Sequence, residues 1–268
     1  MKVIACVNDK GGSCKTSAIM NLASIKAKEG KKVLIIDMDN RASLTQLFKI
    51  DIEDGEDTIT KLLQPPKNAK TINKPTEVEI LKCIQTVDTF TEYTKGNTNL
   101  CIIPADYGLT SVEKELSSIA IGAKGLKQII DTLKQSKKVK FDYIFIDCPG
   151  SLNYLTINAL VATDLAIVPC EPTQGNYVGL DDVFGTIAEI KEYNLNDNLK
   201  TLGVLVSRVK RRKSEKALIE KIGKKYKIIG MVKESADMTR NEDKGVAVVV
   251  SQPSSQVAND YYDVAKKI

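Results

Sequence analysis

Short apolar runs alternate with stretches of helical periodicity along most of this chain. Runs of consecutive apolar residues are typical of strands buried on both faces of a parallel sheet. They lie at residues 3–7, 32–37, 100–104, 141–147, 164–169 and 201–206. Helical patterns lie at residues 17–29, 42–48, 108–117, 125–135, 155–160, 179–193 and 214–226. The alternation predicts an α/β fold, with a doubly wound, mostly parallel sheet flanked by helices and joined by right-handed crossovers.

The length and the apolar content predict the domain organisation. A chain of 268 residues with 43% hydrophobic residues can build one large core, so we expect a single domain over residues 1–268. Residues 51–99 are the least regular part, and we expect a peripheral insertion of short helices there. Gly30 follows the first helical pattern and is typical of a C-terminal helix cap. Residues 257–268 predict a final helix packed on the body.

The composition excludes several kinds of active site. The chain contains no His, so a Ser-His-Asp triad, a histidine base and histidine metal ligands are excluded. The six Cys residues are scattered, with no pair at Cys-x-x-Cys spacing, which is typical of reduced thiols in the cytosol. An iron–sulfur site is the alternative, and only Cys148 lies in a suitable neighbourhood. Acid and base chemistry is therefore left to carboxylates, lysines and water.

The N-terminus and the apolar runs indicate where the protein acts. The chain begins directly with the first strand, so we expect no signal peptide, no lipidation motif and no N-terminal DNA-reading domain. No apolar run approaches the roughly 20 residues that a bilayer span requires. We therefore expect a cytoplasmic protein.

The stretch between the first strand and the first helix has the features of a phosphate-binding loop. Gly11 and Gly12 let the backbone approach a polyphosphate, and the following helix points its positive end at the same anion. Lys15 is placed to reach the outer phosphates, and Thr16 to ligate Mg²⁺. A glycine-rich turn is disfavoured, because strand, loop, Lys-Thr pair and helix occur together. The predicted nucleotide-binding residues are Lys10, Gly11, Gly12, Ser13, Cys14, Lys15, Thr16 and Ser17.

Two carboxylates follow the second predicted strand. Asp37 and Asp39 stand at the C-terminal end of the run at 32–37, where ligands of open α/β sheets bind. Asp39 has a structural alternative, as a cap of the short helix predicted at 42–48. Because Asp37 precedes it by two residues beside the phosphate loop, we favour a catalytic role for Asp39.

A third carboxylate ends the apolar run at 141–147. Asp147 follows four apolar residues, as in a Walker B motif. Such an Asp holds Mg²⁺ opposite the hydroxyl of the phosphate loop, here that of Thr16. Thr16 and Asp147 are therefore the predicted metal residues.

These motifs together resemble those of the deviant Walker A ATPases, the ParA/MinD group of partition and positioning proteins. The phosphate loop reads Lys-Gly-Gly-x-x-Lys-Thr from Lys10 to Thr16, and Asp147 is followed by a Cys-Pro-Gly-Ser-Leu sequence close to that of the group. The resemblance implies ATP and Mg²⁺ as cofactors. It also implies slow hydrolysis of ATP to ADP and phosphate, stimulated by a partner.

The resemblance further implies individual catalytic roles. Lys10 would reach across a dimer interface to the phosphates bound by the other subunit, and Asp39 would orient the attacking water. With Lys15 on the bound phosphates, the predicted catalytic residues are Lys10, Lys15 and Asp39. The family places residues 169–172 and Gly179 near the dimer interface.

Several positions depart from the family pattern. Asp9 and Cys14 stand where the usual motif has glycines, Asn40 and Arg41 replace a Pro-Gln pair, and Gly150 replaces a proline. The glycine that Cys14 replaces often has a positive φ, so we expect a strained backbone there. We nevertheless expect ATP to bind.

Basic residues are concentrated in one segment, residues 207–233. It carries eleven Lys and Arg against two acids, a charge of +9 in a chain of net charge +5, so the rest of the chain sums to −4 (5 − 9). A solvated helix face is the alternative, but such faces normally interleave both signs. We predict nonspecific contacts with DNA phosphates. The predicted DNA-binding residues are Arg208, Lys210, Arg211, Arg212, Lys213, Lys224 and Lys225.

The expected function is that of a ParA-like partition ATPase associated with the nucleoid. It would form an ATP-dependent sandwich homodimer, bind nonspecific DNA and act with a ParB-like centromere-binding protein on a plasmid or chromosome locus. Three alternatives remain. A MinD-like membrane-associated positioning ATPase would need a more apolar C-terminal helix than residues 257–268 offer. A metabolic or electron-transfer P-loop enzyme is disfavoured by the dispersed cysteines, and a nucleotide-binding regulator without hydrolysis is compatible with the departures at Cys14, Asn40 and Arg41.

Overall fold

A mostly parallel sheet forms the centre of the computed structural model, which describes residues 1–53, 57–67, 70–210 and 212–268. Within these ranges the sheet has eight strands in the order β3-β4-β2-β5-β1-β6-β7-β8, and only the β3–β4 pair is antiparallel. The strands are β1 (Lys2–Cys6), β2 (Val33–Asp37), β3 (Gln85–Thr86), β4 (Leu100–Ile103), β5 (Tyr143–Asp147), β6 (Leu165–Cys170), β7 (Lys200–Val209) and β8 (Ile228–Lys233).

Helices cover both faces of this sheet. In chain order they are α1 (Lys15–Lys28), α2 (Ser43–Leu47), α3 (Ile59–Leu63), α4 (Glu77–Lys82), α5 (Asp88–Tyr93), α6 (Leu109–Ser117), α7 (Gly125–Gln135), α8 (Tyr154–Ala162), α9 (Gln174–Glu192), α10 (Lys213–Lys225), α11 (Ala236–Glu242), α12 (Val248–Ser251) and α13 (Gln256–Ala265). A turn of 3-10 helix, Gly122–Lys124, precedes α7.

Alternate residues of the central strands enter two separate cores. In β1, Val3 and Ala5 pack into the core under α6, α7, α8 and α9, whereas Ile4 and Cys6 pack into the core under α1, α12 and α13. Both faces are apolar for this reason, which explains the uninterrupted apolar runs in the sequence. The predicted doubly wound α/β sheet is the one observed.

Strand register brings the candidate site together. Cys6 of β1 and Asp37 of β2 both pair with Asp147 of β5, so the three strands end level with one another. The loop that follows β1 therefore lies beside two carboxylates that are distant in sequence. This edge is where parallel α/β sheets bind ligands.

Helices α9 and α1 begin earlier than the sequence predicts. Helix α9 begins at Gln174, before the expected residue 179, because the Thr173 side chain accepts a hydrogen bond from the Asn176 N–H. Helix α1 begins at Lys15 rather than at Ser17, so the last residues of the phosphate loop form the first helical turn.

The described part of residues 51–99 forms α3, α4, the short strand β3 and α5. Ile59 and Ile80 join one core, and Val87 and Phe90 join the other. Strand β3 extends the sheet beyond β4. These residues thus wrap one edge of the sheet and contact both of its faces.

Helix α13 packs on the body, as expected. Val257, Tyr261 and Val264 of this helix are buried against the core that contains α1, so its apolar face already has a partner. Among the helices of the described ranges, none has both the length and the apolar character to cross a membrane.

Gly30 provides a test of local backbone strain. Its φ is +82°, its N–H donates to the Ala27 carbonyl and the Lys31 N–H donates to the Lys26 carbonyl, which is a Schellman cap. We expect Gly30→Ala to lower the free energy of unfolding by about 1 kcal/mol in urea denaturation, because an L side chain is strained at this φ.

Gly185, an exposed residue inside α9, gives the matched control. No atom lies within 4 Å of a Cβ built there, so Gly185→Ala should raise the free energy of unfolding by about 0.5 kcal/mol or more. Equal effects of the two substitutions would contradict this explanation.

Candidate nucleotide site

The loop between β1 and α1 curls around the ammonium group of Lys15. Lys15 Nζ donates to the carbonyls of Lys10 at 3.0 Å and Asn8 at 3.4 Å, and to Ser13 Oγ at 3.2 Å. The residue is only 6% exposed. Gly12 has a φ of +75°, which turns the loop without the strain a side chain would suffer. The result is a closed cradle at the positive end of α1, a favourable place for an anion.

Thr16 and Asp147 meet directly beneath this loop. The Thr16 hydroxyl donates to Asp147 Oδ2 at 2.8 Å. Asp147 is fully buried, and its Oδ1 has no hydrogen-bond partner among the described residues. Buried polar atoms rarely stay unpaired, so this oxygen marks a position for a missing group.

The donor set fits Mg²⁺ bound together with phosphate. Mg²⁺ takes oxygen ligands, keeps several waters and is usually held by one or two protein groups plus substrate phosphates. Within the described ranges, no group of three or more Cys, Asp and Glu side chains could hold a metal ion. The hydroxyl of Thr16 and the free oxygen of Asp147 would therefore share the ion with an incoming phosphate.

The two carboxylates after β2 have different surroundings. Asp37 is fully buried, and it accepts hydrogen bonds from the Asp39 N–H at 3.0 Å and from the N–H and hydroxyl of Thr45 at 2.9 and 2.8 Å. Asp39 accepts from Ser43 Oγ and the Arg41 N–H, and it lines the open pocket. Asp37, not Asp39, is the carboxylate that anchors the backbone of α2, a role that the sequence does not reveal.

Burial changes the acid–base behaviour of the buried pair. Loss of water raises the pKa of Asp37 from its usual 3.8 to about 6, although the hydrogen bonds from Thr45 and Asp39 oppose the shift. Burial also raises the pKa of Asp147, and the neighbouring charge of Asp37 adds to the rise. A cation in the pocket would relieve both effects.

A pocket of about 520 Å³ opens above these residues. Gly12, Lys15 and Thr16 line one side, and Asp39 and Arg41 line another. The structure thus brings together the predicted loop residues from Gly11 to Ser17, the predicted metal residues and Asp39, but not Lys10.

Lys10 lies apart from this pocket. It is exposed and does not line the cavity. Its side chain runs over α9, so that a Cβ built on Gly179 would lie 3.7 Å from Lys10 Cε. The hydrocarbon part of this side chain thus lies on α9, outside the cavity.

Gly150 explains one departure from the family pattern. A Cβ at this position would lie 3.1 Å from Gly11 Cα and 3.2 Å from Gly11 N. The loop after β5 therefore lies directly on the backbone of the phosphate loop, and glycine makes this close approach possible.

Cys14 is strained, as expected from the sequence. It caps α1 with a φ of 66°, in the left-handed region that side chains disfavour. Its thiol lies 3.7 Å from Glu171 Oε1, and burial raises its pKa to about 12, so it is a neutral thiol.

Arg208 is exposed but lies at the nucleotide pocket, apart from the basic residues of α10. Its guanidinium lies 2.9 Å from Glu171 Oε1, and it lines both the 520 Å³ pocket and a smaller one of about 130 Å³. Glu242, which accepts a hydrogen bond from Ser17, and Tyr261 also line the smaller pocket. No local pattern points to Glu171, Glu242 or Tyr261, because their partners lie far away in sequence.

The other predicted DNA-binding residues lie at the end of β7 and on α10, with Arg211 outside the described residues. Lys210 pairs with Glu234 at 2.8 Å, and Lys225 pairs with Asp181 at 2.5 Å. Arg212, Lys213 and Lys224 are exposed and form no ion pair within the described ranges. Acids from other elements thus offset part of the charge counted along the sequence.

Comparisons with known proteins agree with this geometry. The AAA_31 family model, described as an AAA domain, matches residues 1–201. The sporulation initiation inhibitor protein Soj of Bacillus subtilis is 30% identical over 271 residues, which cover 100% of this chain and 98% of Soj. The chain belongs to the ParA/MinD family of P-loop ATPases. The chromosome partitioning protein ParA of Caulobacter vibrioides is 29% identical over 80% of this chain and 72% of that protein.

Solved structures support the fold of this ParA/MinD family member. A putative plasmid partition protein from Borrelia burgdorferi bound to AMPPNP is 25% identical, with a TM-score of 0.78 over 99% of this chain and 97% of that one. Apo McdA from Cyanothece is 21% identical, with a TM-score of 0.82 over 100% of this chain and 98% of that one. The predicted fold class and family are both confirmed.

The left-handed Cys14 leads to a prediction about stability. Cys14→Gly should have a free energy of unfolding about 0.5 to 1 kcal/mol higher than Cys14→Ala, because only glycine relieves the strain while both variants remove the thiol. Urea denaturation of the two variants measures the difference, and calorimetry should detect ATP binding by both. A more stable alanine variant would refute the strain explanation.

The raised pKa of Asp37 predicts a pH dependence in the protein free of nucleotide and Mg²⁺. Between the unfolded value of 3.8 and the folded value of about 6, the folded state binds more protons, so the free energy of unfolding falls as pH rises. From about pH 5 to about pH 7 the contribution of Asp37 should fall by about 1 kcal/mol. Urea denaturation should therefore give a steeper loss of stability for the native protein than for Asp37→Asn, and equal slopes would contradict the assignment.

Proposed function

We propose that this protein is an Mg²⁺-dependent ATPase that dimerises around ATP, binds nonspecific DNA and partitions a plasmid or chromosome locus with a ParB-like protein. The observation that carries the proposal is the buried carboxylate of Asp147 beside the Lys15 cradle: its Oδ2 accepts a hydrogen bond from Thr16, and its Oδ1 has no partner among the described residues. Family membership, through relatives named as partition proteins, supports the same function.

The loop residues would hold the triphosphate. The ammonium group of Lys15 now bonds to loop carbonyls and would exchange them for phosphate oxygens, which bind a cation more strongly. The backbone from Gly11 to Ser17 would surround the phosphates. Thr16 and Asp147 would hold Mg²⁺, which neutralises phosphate charge when it is bound.

Asp39 is the candidate for positioning the attacking water. It lines the pocket, and its oxygens are held by Ser43 and Arg41. Asp37 fixes its backbone N–H. A carboxylate is a weak base and the chain has no histidine, so slow turnover in the absence of a partner is expected.

Lys10 would act on the nucleotide of the second subunit. It is exposed and extends over α9 away from its own pocket, so its ammonium group is available to a facing molecule. A cation supplied in this way would stabilise the charge that develops on the phosphates, as an arginine finger does.

DNA binding would depend on the exposed basic residues at the two ends of α10. Arg212, Lys213 and Lys224 are the first candidates, because Lys210 and Lys225 already have acidic partners. Dimerisation on ATP would place two such surfaces on one particle, and avidity would then convert weak phosphate contacts into useful binding.

An electrophoretic mobility shift assay with ATP, ADP and no nucleotide tests this proposal. We expect retardation with ATP. The triple variant R212Q/K213Q/K224Q should bind DNA about tenfold more weakly and with a shallower salt dependence, because a protein that makes fewer phosphate contacts releases fewer counterions from the DNA.

The control variant K137Q/K138Q/K140Q removes the same charge from exposed lysines between α7 and β5 and should bind DNA as the native protein does. Equal retardation with ATP and ADP would refute the ATP-dependent dimer. Equal losses in both triple variants would refute the assigned DNA surface.

A further inference from the structure

A large cavity lies on the side of α2 that faces away from the nucleotide pocket. Its volume is about 1100 Å³, and it is bounded by α2, residues 50–53, α3, residues 64–66 and the loop at 105–108. Arg41 and Ser43 line the nucleotide pocket, whereas Ala42, Thr45 and Gln46 line the larger cavity. Helix α2 is thus the wall between the two.

The lining of this cavity is acidic at several positions and apolar at others. Asp51, Glu53 and Asp106 contribute carboxylates, and the cation Lys61 is paired with Asp57 outside the lining. Asp51 and Glu53 are exposed and form no ion pair within the described ranges. The apolar part comes from Ile50, Ile52, Pro65, Pro66 and the ring of Tyr107, which is 72% exposed.

Hydrogen bonds connect the cavity wall with Asp39. The Thr45 hydroxyl accepts from the Ala105 N–H at 3.0 Å and donates to Asp37 Oδ2 at 2.8 Å. Asp37 Oδ1 in turn accepts from the Asp39 N–H at 3.0 Å. A displacement of the loop at Ala105 or of α2 would therefore change the position of Asp39.

Helix α2 is short and follows a strained residue, while its Leu44 is buried in the core. It spans only five residues, and Ala42, which precedes it, has a φ of 52°. This left-handed conformation is unfavourable for an alanine, so a shift of the helix would release part of the strain.

We propose that this cavity binds a cationic, partly apolar peptide segment of the activating partner, and that α2 transmits its binding to Asp39 through Thr45 and Asp37. This inference rests on the proposed function. The cavity, at about 1100 Å³, stands at the upper limit of the roughly 300 to 1,000 Å³ typical of small-molecule sites. Its carboxylates complement Lys or Arg side chains, and Ile50, Ile52 and the two prolines complement apolar ones.

Fluorescence anisotropy tests the binding step. The probe is a labelled synthetic peptide of alternating lysine and leucine, and its twin with glutamate in place of lysine reports charge dependence. The lysine peptide should bind more tightly than the twin at low salt, and D51N/E53Q should weaken its binding about fivefold, since exposed charge pairs each contribute up to about 1 kcal/mol.

The matched control is E192Q/D197N, which removes two exposed acids that do not line the cavity, at the end of α9 and in the loop before β7. It should bind the peptide as the native protein does. Equal weakening in the two double variants, or no preference for the lysine peptide, would overturn the assigned site.

Phosphate release and hydrogen exchange test the transmission step. The bound peptide should change ATP turnover and the exchange of amides at residues 39–47 in the native protein and in Thr45→Ser, which keeps the hydroxyl. Thr45→Val should still prefer the lysine peptide to its glutamate twin but lose both responses. Responses in Thr45→Val equal to those of Thr45→Ser would overturn the assigned connection.

Calorimetry with ATP and Mg²⁺ separates this inference from the proposed function. Peptide binding lost in D51N/E53Q together with retained ATP affinity supports the site. A native protein that binds ATP but shows no preference for the lysine peptide refutes this inference alone, whereas a native protein without ATP affinity refutes the proposed function.

Discussion

The structure of the site depends on two aspartates that are buried side by side in the sheet. Asp37 and Asp147 end neighbouring strands in register, and both are removed from water. Their mutual repulsion and loss of hydration are tolerated because Thr45, Asp39 and Thr16 donate hydrogen bonds to them. A magnesium ion and the ammonium group of Lys15 would further stabilise the two buried carboxylates. In the proposed function the unpaired oxygen of Asp147 is therefore a source of affinity.

The same pair organises the elements around it. Thr16, at the start of α1, binds Asp147, and Thr45, inside α2, binds Asp37. The helix that presents the phosphate loop and the helix that follows Asp39 are thus both attached to one buried charge cluster. In the proposed cycle, a change in the charge of this cluster on nucleotide binding or hydrolysis would act on both helices at once.

The sequence predicts those parts of the site whose residues lie close together in one motif, such as the phosphate loop. The apolar runs predict the strands because both faces of the sheet are buried, and the position of each Asp at a strand end predicts their meeting. The sequence cannot predict contacts that depend on packing between distant elements. The pairing of Arg208 with Glu171, the bond between Ser17 and Glu242 and the connection from Ala105 to Thr45 belong to this class. Likewise, the charge counted along residues 207–233 does not include the acids of α9 and of the end of β8 that pair with two of its lysines.

The position of β1 inside the sheet limits how often the floor of the nucleotide pocket opens. This strand is hydrogen-bonded on both sides, to β5 and β6, and α1 behind it is buried along most of its length. The floor of the nucleotide pocket is consequently among the parts of the fold that open least often. The short helix α2 and the loop at Gly150 form its rim and lie nearer the surface. In the proposed cycle, a partner that controls the rate of turnover would therefore act on the rim of the pocket, while the floor stays unchanged.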